Sequence, residues 1–187
     1  TDVTRMEDQY AVEFASILSL YGVCAENFTG SILSSVVPPL TPILTRAVKK
    51  LFSFAPLVIS PGIKTGLDIK IDNPATLGSD FVCTAVGALR KYKKPDRACI
   101  IIDLGTATKI TALDKHGSFL GGSIMPGMQT SLLALTKSTA QLPSINLEAV
   151  QNVIGSNTVD CMKSGVLYGT ASMIDGMIDR YCEILGN

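Results

Sequence analysis

A carboxylate, a glycine and two hydroxyls stand together in the run Asp103-Leu104-Gly105-Thr106-Ala107-Thr108. Gly105 lets the backbone turn sharply and approach a ligand closely. Thr106 and Thr108 place hydroxyls beside the backbone N–H groups of the same turn, and Asp103 is able to hold a cation. Small residues admit phosphate oxygens, donors meet them, and a carboxylate keeps a cation at hand, which is the chemistry of a phosphate cradle. The same residues also make an ordinary turn between two strands, because Asp and Gly are turn formers. A second candidate is Gly78-Ser79-Asp80, at the front of an apolar run that reaches Tyr92. Ser79 or Asp80 suits a helix N-cap. Equally, a carboxylate at a helix N-terminus stays ionised and accessible, as a general base must. A third is Ile154-Gly155-Ser156-Asn157-Thr158, where Asn157 or Thr158 caps a following helix and the same N-terminus can receive a polar ligand. Lys64 and Thr65 either face an anion or belong to a solvated crossing loop, in the glycine-marked stretch 61–74.

The elements that must position these residues follow from periodicity. Residues 98–102, Ala-Cys-Ile-Ile-Ile, read as a buried strand that delivers Asp103 at its end. Residues 109–113 and 118–123 read as returning strands, joined by the turn Asp114-Lys115-His116-Gly117. Upstream, helical spacing covers 7–21 and 41–52, and apolar runs at 30–37 and 56–59 read as strands. Downstream, a helix is expected over 129–136 and a long one from 158 to about 185, with Met162, Met173 and Met177 in the core. The alternation argues for a layered α/β fold. The polar run 90–97 reads as a joint, dividing the chain into 1–93 and 94–187.

Composition limits the function classes. The chain has 187 residues, 47% hydrophobic and 17% charged, which is enough core for one sizeable domain or two small lobes and argues against disorder. Lys and Arg total 16, as do Asp and Glu, so no charge-driven contact with nucleic acid or membrane is implied. The five cysteines are scattered and none has zinc-site spacing, which fits reduced thiols in a cytoplasmic protein. No signal-peptide pattern or membrane-length apolar stretch is present in these residues. His116 is the single histidine and lies in a turn, which excludes a His-based catalytic triad.

Seven motifs in order give a resemblance. They are Val36-Val37-Pro38-Pro39, the 61–74 stretch, Leu77-Gly78-Ser79-Asp80, the Asp103-to-Thr108 turn, Gly121-Gly122-x-Ile124-x-Pro126-Gly127, Thr139-Ala140-x-Leu142-Pro143, and Ile154-Gly155-x-Asn157-Thr158 with Ser164-Gly165. Together they resemble the type III pantothenate kinases over nearly the whole chain. That resemblance implies two ribonuclease-H-like lobes of the actin and sugar-kinase superfamily, with ATP between them. It implies transfer of the γ-phosphate of ATP to the terminal hydroxyl of pantothenate, the first step of coenzyme A biosynthesis. It further implies a cytoplasmic homodimer, Mg2+ with the ATP, and a monovalent cation, potassium or ammonium. By the family pattern Asp80 is the base, Asp103 holds the monovalent cation, and Gly105 and Thr106 meet ATP. Gly78, Ser79, Asp80, Phe81 and Thr158 line the pantothenate pocket.

Three departures qualify the resemblance. Phe81 stands where the family usually has Arg, and Ile71 where it often has Tyr. The family's opening strand, ending in Asp-x-Gly-Asn-Thr, has no counterpart here, and neither does its closing Gly-Gly strand and helix. The 187-residue stretch is therefore expected to lack segments at both ends and to be weak or inactive as a kinase on its own. Two other functions share the scaffold: a regulatory or accessory binding protein, and a kinase for another small hydroxyl compound.

Overall fold

A computed structural model describes residues 3–92, 94 and 96–186. Its described residues divide into two compact units, Thr1–Gly66 with Asn73–Thr84, and Leu67–Asp72 with Ala85–Asn187. The architecture is α/β.

In the first unit, α1 (Glu7–Leu20) and α2 (Leu40–Phe52) pack through Tyr10, Leu40 and Ala47, with Phe14 and Ile43 around them. Glu7 and Asp8 sit in the first turn of α1, and Lys49 and Lys50 in the last turn of α2, each with the sign that its helix dipole favours. Lys50 also bridges the helices, 2.6 Å from Asp8 and 3.5 Å from Glu7. The strand expected over 30–37 is only Ile32–Leu33 (β1), which pairs in parallel with Leu57–Val58 (β2). Serine chemistry explains the shortening. Ser34 donates to Ser79 Oγ at 3.0 Å, and Ser35 closes a local turn on Val37, so side chains compete with the ladder. The third helix, α3, runs Ser79–Tyr92, with residues 79–84 in this unit and the residues from Ala85 in the second. Of the expected joint at 90–97, Lys93 and Pro95 lie outside the described residues.

The second unit is built on an antiparallel meander: β3 (Cys99–Leu104), β4 (Ala107–Leu113) and β5 (Phe119–Pro126). Asp103 pairs with Lys109, and Lys109 in turn with Ile124. Alternation puts Ile102, Ile110 and Ser123 on the other face, where Tyr181 of α5 (Thr158–Leu185) meets Ser123 Oγ at 2.8 Å. The helix α4 (Met128–Ser138) packs on α5 through Leu132, Met162 and Val166. Met162 is core as expected, whereas Met173 and Met177 are half-buried. All five cysteines are free. No helix among the described residues is long and apolar enough to cross a membrane.

One expected hydroxyl is not at the turn. Because β4 begins at Ala107 rather than Lys109, Thr108 is a strand residue and points into the core. It is 1% exposed, and its Oγ1 has no hydrogen-bond partner. Burying an unpaired hydroxyl costs about 1–3 kcal/mol. Thr108→Val, which keeps the shape, is expected to raise the melting temperature by a few degrees in a thermal-shift assay; a fall would contradict this reading of the site.

The 114–117 turn is also charge-dependent. Asp114 Oδ1 accepts the N–H of His116 at 2.9 Å and of Ser118 at 2.8 Å, and Lys70 Nζ lies 3.1 Å from Oδ2. Burial pushes the carboxyl up, but the Ser118 N–H, the Lys70 ammonium and the His116 N–H outweigh it and lower its pKa to about 2. Lys70 belongs to the segment that bridges Ile69 to Phe119, so this carboxylate ties that segment to the meander. A depressed carboxyl stabilises the fold above its unfolded pKa and loses that contribution as pH falls through the folded value. Asp114→Asn is therefore expected to lower the melting temperature at neutral pH, by a margin that shrinks below the ordinary carboxyl range of about 4. A margin constant from neutral to acid pH would contradict it.

Candidate active site

The exposed tip Leu104-Gly105-Thr106 joins β3 to β4 and is clamped from behind by the start of α4. The Gly127 N–H donates to Thr106 O at 3.0 Å, and Thr130 Oγ1 donates to the same oxygen at 2.7 Å. A Cβ at residue 127 would come within 2.7 Å of Thr106 O and closer still to Gly105 O. Only glycine lets α4 approach this near, so Gly127 and Thr130 fix the backbone of the turn while Thr106 itself faces solvent. Thr130 was not singled out in the sequence; its spacing from Gly127 within the first turn of a helix is the signal that marks it.

Asp103 occupies the flank of this turn. Its side chain is 38% exposed, and its Oδ2 lies 2.7 Å from Lys109 Nζ, on a lysine side chain 16% exposed. Lys109 was also missed in the sequence, where it read as the first residue of a strand.

In the first unit, Asp80 stands in the first turn of α3. Its Oδ1 accepts the Phe81 N–H at 2.9 Å, one of the donors that a helix N-terminus leaves without a partner. A Cβ at residue 78 would lie 2.6 Å from that same oxygen, so Gly78 makes room for the carboxylate. Ser79 is 9% exposed; its hydroxyl donates to Ser35 O at 3.2 Å and accepts from Ser34. Ser79 therefore anchors the turn to the end of β1, and the helix-terminal N–H is met by Asp80. Phe81 and Asp80 are both half-buried.

The third candidate lies in the second unit. Asn157, not Thr158, caps α5, accepting the Asp160 N–H at 3.0 Å. Thr158 is the first helical residue and is exposed. Between α4 and α5 runs an open groove of about 670 Å³ that includes Thr130, Leu135, Thr139, Gly165 and Met173 in its lining. Lys64 is exposed. The structure thus groups Gly78, Ser79, Asp80 and Phe81 within one unit, and Asp103, Gly105, Thr106 and Thr158 within the other.

A glycine-containing turn fixed by a helix start, and a carboxylate fixed at another helix start, are parts that phosphoryl transfer uses. The family model for type III pantothenate kinase matches residues 1–180. The chain belongs to the type III pantothenate kinase family. It is 39% identical over 180 residues to the type III pantothenate kinase of Geobacillus kaustophilus (strain HTA426), covering 96% of this chain and 69% of that protein. The corresponding enzyme of Halalkalibacterium halodurans is 39% identical over 180 residues and 70% covered. A solved Baf family protein from Campylobacter jejuni shares the fold at a TM-score of 0.52 and 19% identity, over 80% of this chain and 65% of that one. Type III pantothenate kinases phosphorylate pantothenate in coenzyme A biosynthesis, and this chain is a kinase of that family, with ATP and a divalent metal ion as the family implies.

Proposed function

We propose that Asp80 is the base that takes the proton of the terminal pantothenate hydroxyl, that Gly105 and Thr106 meet the phosphates of ATP, and that Asp103 holds a positive charge beside them. The observation that carries this is the fixed carboxylate of Asp80, held between the Phe81 N–H and the space left by Gly78. Phosphoryl transfer demands little covalent chemistry; the nucleophile must be aligned and the charge on the phosphates met. Asp80 orients the hydroxyl, and the backbone of the Gly105 turn meets phosphate oxygens. Gly78, Ser79 and Phe81 are assigned to the acceptor in the same proposal, and Thr158 is assigned to it as well. The proposal also includes two ribonuclease-H-like lobes, 1–93 and 94–187, a homodimer and a cytoplasmic location.

A divalent ion bound with ATP would supply positive charge to the transferring group. Among the described residues no group of three or more His, Cys, Asp or Glu stands together as a metal cage. The free monovalent ion fits poorly. Asp103 Oδ2 is already engaged by Lys109, so the two charges largely offset and the carboxylate offers a free cation little net attraction. Asp103 is therefore proposed as the anchor of a positive charge, and no step is assigned to a free ion.

Phe81 favours a second reading, a kinase for a different small alcohol, because an apolar ring presents no cation to a carboxylated acceptor. The test is ADP formation by the full-length protein with pantothenate and with a panel of small hydroxyl compounds, the products weighed by mass spectrometry. Pantothenate is expected to be the preferred acceptor and to gain one phosphate. Preference for a neutral alcohol would support the second reading, and no acceptor-dependent ADP would overturn both.

A further inference from the structure

Asp103 and Lys109 face one another across β3 and β4, joined at 2.7 Å between Oδ2 and Nζ. Opposite charges across a sheet are common, and when half in water they contribute little to stability. The lysine side chain is the more covered partner, at 16% against 38%, as it also is in the Lys163–Glu148 pair. What sets this pair apart is its place at the base of the Gly105–Thr106 turn, where charge from a triphosphate would arrive.

We infer that the Lys109 ammonium is itself the monovalent cation of this site. Tethered to Asp103, it takes the place of a free potassium or ammonium ion, and the kinase works without one. This rests on the reading of the turn as the phosphate site. An ammonium head group carries the same single charge as either ion and presents three donors to surrounding oxygens. Fixed on a strand, it is present whatever the salt.

The test uses the full-length protein as wild type, Lys109→Met and Lys109→Arg. Pantothenate-dependent ADP formation is read by chromatography in choline, sodium, potassium and ammonium chloride at equal ionic strength. Melting temperatures are read in the same four salts without substrates. Wild type and Lys109→Arg are expected to turn over alike in all four and to show no melting shift specific to potassium or ammonium. Lys109→Met is expected to fall by about tenfold or more in choline chloride and to recover in potassium or ammonium chloride, with a melting temperature that those two ions raise. Wild-type turnover that requires potassium, or a Lys109→Met protein that is fully active and indifferent to salt, would overturn the inference. Should Lys109→Met fail to fold, the wild-type and Lys109→Arg salt responses decide it. Absence of pantothenate-dependent turnover in every salt would count against the kinase reading instead, and the melting comparison would still decide the role of the lysine.

Discussion

Asp80→Asn is expected to lower kcat for pantothenate-dependent ADP formation by about 10²–10⁴-fold, the usual contribution of a positioned general base. The substitution is chosen because it leaves the structure nearly untouched. Asn has the same shape, and its amide oxygen can still accept the Phe81 N–H. What is lost is the ability to take a proton. The KM for ATP is expected to be unchanged, because ATP is assigned to the Gly105 turn, and the melting temperature to stay near that of wild type. A drop in kcat accompanied by a large fall in melting temperature would point to a structural role for Asp80. Wild-type kcat would remove it from the mechanism.

Gly127→Ala is expected to be the most damaging change away from the reacting groups. The added methyl would overlap Gly105 O and Thr106 O, both backbone atoms, so no flexible side chain can move aside. Either α4 or the turn must shift. Overpacking of this kind costs about 1–3 kcal/mol of stability. A displacement of about 1 Å at a substrate-positioning turn can cost about 10²-fold in rate. The loss is expected chiefly in kcat/KM for ATP. Thr130→Val, which removes one hydrogen bond to Thr106 O and leaves the packing, is expected to cost only about 0.5–1.5 kcal/mol and to affect ATP use less. If Gly127→Ala retained wild-type kcat/KM for ATP and wild-type stability, the clamp on Thr106 would have no bearing on the site.

The central hairpin was legible because its signals agree. A β-branched run ends in an acid, Gly105 breaks it, and a second apolar run returns. The helix ahead of Gly22 was legible for the same reason, with apolar spacing and a stop signal in one place; Gly22 adopts φ 65°. What was not legible depends on register and on partners distant in sequence. The cross-strand pairing of Asp103 with Lys109 exists because the connection is only Gly105-Thr106, and one residue more or less would have moved Lys109 to the opposite face. The same register sends Thr108 into the core. The shortness of β1 is set by Ser79, distant in sequence, and no local pattern at 30–37 reveals it. At the head of α5 the sequence offered two caps, and hydrogen bonding to Asp160 selects Asn157, which leaves Thr158 exposed.

The most direct measurement is a crystal structure of the full-length protein with pantothenate and a non-hydrolysable ATP analogue. The account expects the terminal hydroxyl of pantothenate within hydrogen-bond reach of the Asp80 carboxylate, about 2.6–3.2 Å, and the triphosphate against the backbone of Gly105 and Thr106. A hydroxyl bound to some other group, with Asp80 turned away from both ligands, would contradict it.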